Sequence, residues 1–156
     1  MVLFKKLQGE YFFEKIRIID LIKLNFEKFN DNKKLKIIFD NFNQESQILF
    51  KDEINYALGN IIQNAIIYSK SKVTTIFYSN NEDIIIKIKD DGPGFSKEVL
   101  DKLGEPYISI SKKGMGLGIF IAKNLIENMK GGIFFYNTKQ GNAVVEIKFK
   151  KVILVQ

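Results

Sequence analysis

Asn60, Asn64 and Tyr68 stand four residues apart in a stretch whose apolar residues fall at Ile54, Ala57, Leu58, Ile61, Ile62 and Ala65. That is one face of a helix, and the two amides with the tyrosine share another. Asparagine costs helix propensity, so a pair of them has two readings. One is a solvated face in an Asn-rich chain. The other is a metal–nucleotide site, because an amide oxygen is a hard ligand suited to Mg²⁺, which normally shares its coordination with substrate phosphates. Further on, Asp90-Asp91-Gly92-Pro93-Gly94 follows a strand-like run. Aspartate and glycine also simply make turns. Yet a carboxylate at a strand end can accept a hydrogen bond from an adenine amino group, and glycines let backbone come close to a base. Gly114-Met115-Gly116-Leu117-Gly118 then opens an apolar helical stripe. Backbone N–H groups at such a helix start point at an anion, so this run is a candidate phosphate cradle or a flexible hinge.

The elements that must position these residues follow from periodicity. An apolar stripe at Ile18, Leu21, Ile22 and Phe26 predicts a helix over 18–29, and the asparagine face lies on a second helix over 52–69, with Asp52 as its N-cap. Strands are expected at 35–39, 47–50, 73–78, 84–89, 133–136 and 143–149, with a hairpin turn at 79–82 and another around Gln140-Gly141. Residues 95–113 read as a long loop with at most one helical turn. A helix over 116–129 should end at Lys130-Gly131-Gly132, with glycine supplying the cap. Helices on one face of a mixed sheet make an α+β sandwich.

Composition narrows the chemistry. The 156 residues include no cysteine and no histidine, which removes disulfides, thiolate metal sites and the commonest acid–base catalyst. Hydrophobic residues at 46% and charged ones at 27% fit one globular domain. The net charge of +6 does not imply nucleic acid, because the lysines are scattered and Arg17 is the sole arginine. No apolar run is long enough to span a bilayer, and the first residues lack a signal-peptide layout. No membrane contact by this segment and a cytoplasmic setting are therefore expected, whether or not a longer parent is anchored.

Taken in order, the run from Glu53 to Ser69, Asp90 to Gly94 and Gly114 to Gly118 resembles the N, G1 and G2 boxes of the ATPase superfamily of histidine kinases, type II topoisomerases, Hsp90 and MutL. The resemblance implies a Bergerat fold, a two-layer α/β sandwich binding ATP under a mobile lid. Carried over residue by residue, it implies that Asn64 holds Mg²⁺ and Asn60 supports the phosphates. Asp90 would read adenine, Gly92 and Gly94 would shape its pocket, and Tyr68 would stack on the base. Gly114, Gly116, Leu117 and Gly118 would line the triphosphate.

One position separates the relatives. Hydrolases and anti-sigma-factor serine kinases carry a glutamate, their general base, one turn before the Mg²⁺-binding asparagine; here that position is Asn60. An amide cannot take the proton. Asn60 thus resembles the catalytic ATP-binding domain of bacterial sensor histidine kinases, as do Leu103-Gly104-Glu105-Pro106-Tyr107 and the start of the following helix. Within these it is most similar to the redox-responsive sensors of alphaproteobacteria. Two places depart from the pattern: Ile67 stands where the family often has Lys or Arg, and Ser109-Ile110-Ser111 replaces the usual lid sequence. Phosphate contacts would then be weaker or come from Lys70, Lys112 or Lys113. The implied activity is transfer of the ATP γ-phosphate to a histidine on a separate dimerisation domain, in cis or in trans, with a response regulator downstream. No catalytic residue is expected in this chain, because the acceptor histidine is absent from it. Residues 1–17 would be the lead-in from that domain and 18–156 the ATP-binding domain. The alternatives are a stand-alone ATP-binding regulator and an anti-sigma-type serine kinase.

Overall fold

The computed structural model describes residues 4–7, 10–13, 15–31, 35–40, 46–103 and 117–155. The chain runs β1 (Phe4–Leu7), β2 (Glu10–Phe13), β3 (Lys15–Arg17), α1 (Ile18–Phe29), β4 (Lys36–Asp40), β5 (Gln47–Leu49) and α2 (Asp52–Tyr68). It continues through β6 (Lys72–Ser79), β7 (Asp83–Asp90), α3 (Lys97–Lys102), α4 (Leu117–Asn128), β8 (Gly132–Asn137), β9 (Ala143–Lys150) and α5 (Lys151–Val155).

Five strands form the main sheet in the order β4-β6-β7-β9-β8. β4 and β6 are parallel, and every other neighbouring pair is antiparallel. A two-residue period puts Val73, Thr75 and Phe77 of β6 and Ile84, Ile86 and Ile88 of β7 on one buried face, with Ile147 and Phe149 of β9. Helix α2 lies over that face and packs between α1 and α4. Its stripe from Ile54 to Ile66 is buried, and so is the Ile18, Leu21, Ile22 and Phe26 stripe of α1. The α+β sandwich read from periodicity is therefore the observed architecture.

Details differ from expectation for physical reasons. Asp52 is not the N-cap of α2. Lys51 occupies that place without a side-chain capping bond, and Asp52 sits in the first turn, where a carboxylate still complements the helix dipole. The loop expected after residue 94 contains α3. Ser96 caps it by accepting from the Val99 N–H at 3.2 Å, a short helix too brief to show periodicity. The end of α4 is not capped by glycine conformation. Lys130 takes the left-handed turn at φ 64°. The Lys130 N–H donates to the Glu127 carbonyl at 3.0 Å and the Gly131 N–H to the Ile126 carbonyl at 2.9 Å, which is a Schellman ending. Gly131 is needed for space instead: a Cβ there would overlap the Phe149 ring. Strand β3, within the expected lead-in, pairs with β5 and sets Ile16 against Ile48, both 1% exposed.

Candidate functional site

The alternation that buries Ile84, Ile86 and Ile88 carries Asp90, the last residue of β7, onto the same inward face. The residue is 5% exposed, and its Oδ1 accepts from the Gly92 N–H at 2.8 Å. Burial raises the Asp90 pKa to about 6, the Gly92 hydrogen bond opposes the rise, and the neighbouring Asp91 charge adds to it.

Asp91 points the other way and ties the loop to the end of α2. Its Oδ1 accepts from the Lys70 N–H at 2.7 Å, and its Oδ2 from the Ser71 hydroxyl at 2.6 Å. The Ser71 N–H lies 3.1 Å from both oxygens. Partial burial works against its ionisation. The Ser71 hydroxyl and the backbone N–H groups of Ser71, Lys70 and Lys72 outweigh that effect and hold its pKa at about 2.

Both glycines of this loop are sterically required. A Cβ on Gly92 would overlap the Tyr68 carbonyl oxygen. Gly94 has φ +79°, and a Cβ there would overlap the Gly141 carbonyl oxygen. Gly92 thus seats the loop on the last turn of α2, the turn that carries Tyr68. At the other end of the asparagine face, Asn60 meets α4: its Oδ1 lies 3.0 Å from where a Gly118 Cβ would stand. The Asn60 amide donates to the Tyr56 carbonyl at 3.0 Å, which turns the side-chain oxygen towards α4. Asn60 also borders a groove of about 280 Å³ between α1 and α2, lined in part by Asn25, Asn55 and Gln63.

The structure thus brings Asn60 against Gly118 in the first turn of α4, and Tyr68 and Asp90 against Gly92, with Asn64 half-buried on the turn of α2 between Asn60 and Tyr68. Leu117 opens α4 and is 40% exposed. Gly114, Gly116, Lys112, Lys113 and the expected lid beyond Leu103 lie outside the described residues. Lys70 is exposed, and its backbone is engaged by Asp91. Among the described residues no cluster of acidic side chains could hold a metal ion. A metal here would need the amide oxygens and a ligand's own oxygens. Among these residues no helix is long and apolar enough to cross a membrane.

Sequence reasoning missed three residues that hold the loop 90–95 in place. Asp91 was legible only as half of a turn, although strand alternation places it opposite Asp90. Asn137 and Asn142 clamp the loop from the β8–β9 turn, and no local pattern announces a bond to a segment so far back in the chain.

Known proteins resemble this chain in sequence and in fold. Residues 51–153 match the family model described as histidine kinase-, DNA gyrase B-, and HSP90-like ATPase. A putative sensor histidine kinase, NtrY-like, from Rickettsia prowazekii is 30% identical over 156 residues, covering 95% of this chain and 26% of that protein. The sensor histidine kinase RegB of Cereibacter sphaeroides is 35% identical over 101 residues, covering 58% of this chain and 22% of that protein. The chain thus spans about a quarter of the length of these relatives. Sporulation kinase A of Bacillus subtilis also matches. The solved catalytic domain of histidine kinase ThkA superposes with a TM-score of 0.75 at 22% identity, covering 88% of this chain and 94% of that one. The matched span holds α2, the Asp90 loop and α4 together, and on it the chain belongs to the family of histidine kinase-, DNA gyrase B-, and HSP90-like ATPases.

Proposed function

We propose that this chain binds ATP with Mg²⁺ in the cleft between α2, the loop 90–95 and the start of α4. We further propose that it presents the γ-phosphate to a histidine on a separate dimerisation domain, which in turn serves a response regulator. The observation that carries the nucleotide reading is Asp90: a buried carboxylate at a strand end, 5% exposed, ready to accept a hydrogen bond. A buried, nearly unpaired acid is costly, and an adenine amino group supplies what it lacks. Gly92 and Gly94 keep backbone close enough to line the base. Tyr68 would cover it from α2. Gly114, Gly116, Leu117 and Gly118 would offer N–H groups to the phosphates.

The donor set fits Mg²⁺: Asn64 would contribute an amide oxygen, and the nucleotide phosphates the rest. When bound, the ion would neutralise charge on the transferring phosphate. Asn60 favours a kinase over a hydrolase. From Ile54 to Tyr68 the helix carries no carboxylate, so no base on this face can activate water. The chain contains no histidine, so the acceptor must come from another segment or chain. Supporting this reading are sensor kinases among the relatives.

The test is calorimetric titration of ATP with and without Mg²⁺, followed by γ-labelled ATP alone. We expect Mg²⁺-dependent binding, no hydrolysis above background and no acid-labile self-labelling. No binding, or brisk hydrolysis by the unmutated chain, overturns the reading.

A further inference from the structure

The loop 90–95 leaves the sheet at the end of β7, where ladder partners run out. Its backbone groups must still be satisfied. Asn137, the last residue of β8, does this with one side chain. Its Oδ1 accepts from the Phe95 N–H at 2.8 Å, and its Nδ2 donates to the Phe95 carbonyl at 2.7 Å. The amide thus takes the place of a neighbouring strand. Two further links run between the same segments. Asn142 Nδ2 donates to the Gly92 carbonyl at 3.0 Å, and the rings of Phe95 and Phe135 meet edge to face at 6.4 Å and 86°. Gly94 lies so close to Gly141 that no side chain fits between them. On its other side the loop is fixed by Asp91 to Lys70 and Ser71, just beyond the end of α2. Between these two anchors hangs Gly92, whose N–H orients the Asp90 carboxylate.

We propose that Asn137 is a positioning residue for the nucleotide base, acting through Phe95 and Gly92 to fix Asp90 without itself touching the ligand. The inference rests on the nucleotide reading above. It implies that the β8–β9 turn, with Lys139 and Gln140 exposed, is mechanically part of the base pocket. Small displacements of a recognition group cost affinity steeply, and they cost selectivity too, because a carboxylate out of place no longer separates adenine from guanine.

The experiment measures Kd for ATP and for GTP by calorimetry in the parent and in Asn137→Ala, with the fold checked by thermal unfolding. In a folded Asn137→Ala we expect ATP to bind about tenfold more weakly and the ATP-over-GTP preference to shrink. A purely structural role would lower the unfolding temperature and leave that preference intact. Parental Kd and parental preference in the folded variant overturn the proposal. Should Asn137→Ala fail to fold, Asn142→Ala removes only the donor to the Gly92 carbonyl. It is expected to weaken ATP about threefold with the same loss of preference, and unchanged binding there overturns the proposal equally. A parent that binds neither nucleotide overturns the nucleotide reading first, and this proposal with it.

Discussion

Asp90 and Asp91 are adjacent in the chain and opposite in behaviour: one carboxylate is buried with a pKa of about 6, the other is bonded to Ser71 and the nearby backbone with a pKa of about 2. The peptide between them marks where the strand face ends. One acid is held ready for a ligand while its neighbour holds the loop.

Nucleotide affinity should fall in mild acid. A protonated Asp90 cannot offer a carboxylate to adenine, so below a free-state pKa of about 6 binding must expel a proton. Affinity is expected to drop by roughly tenfold per pH unit below that point. Calorimetry from pH 5 to 8 checks this. Asp90→Asn serves as control for titration of the nucleotide itself, and it should bind ATP about ten- to a hundredfold more weakly at pH 7.5. Parallel pH profiles for parent and variant would count against a role for Asp90.

Stability of the nucleotide-free chain should move the opposite way. The folded pKa of Asp90 lies above its unfolded value, so the folded state binds the proton more tightly. That contribution is fully present below pH 4 and lost as pH rises through about 6. It amounts to up to about 3 kcal/mol. Urea unfolding at pH 4.5 and 7 should show this slope in the parent and not in Asp90→Asn. Asp91 has the reverse sign: its depressed pKa stabilises above pH 4 and ceases to do so as pH falls through about 2.

The ending of α4 offers a clean contrast between two neighbouring positions. Lys130 pays the left-handed penalty at φ 64°, so Lys130→Gly should raise stability by about 0.5–1 kcal/mol. Gly131→Ala drives a methyl into Phe149 and towards Ile126 and should lower it by about 1–3 kcal/mol. Thermal unfolding of both variants decides it. A stabilised Gly131→Ala would show that the ring yields freely.

Asn60 and Asn64 should separate in function. Asn64→Ala is expected to weaken Mg²⁺-dependent ATP binding roughly tenfold or more while leaving metal-free binding near the parental value. Asn60→Glu restores the base found in hydrolytic relatives, but the attacking water must also be positioned. Slow ATP hydrolysis at most is expected, followed by phosphate release. Loss of metal-free binding in Asn64→Ala would assign Asn64 to the base or to the fold.

Legibility followed the length of each signal. Helix α2 and its asparagine face were visible because five turns repeat one period, and Asp90 because it stands at the end of a run of alternating isoleucines. Helix α3 has six residues, less than two turns, too few to show a period. Lys130 was hidden because glycines follow it and local statistics favour glycine in that conformation. Here packing against Phe149 claims Gly131, and the turn falls to the lysine. Asn137 and Asn142 could not be read at all. Their partners are set by the register of β7, β9 and β8, which is a property of the folded sheet.

The parallel pairing of β4 with β6 requires the chain to cross the sheet between them, and α2 lies on that crossing. The two asparagines therefore ride on a connection whose apolar stripe is buried against the sheet that it links. Amide protons along α2 should exchange only when the whole domain opens. A nucleotide bound to this helix would then slow the slowest-exchanging amides of the sheet along with those of its own cleft.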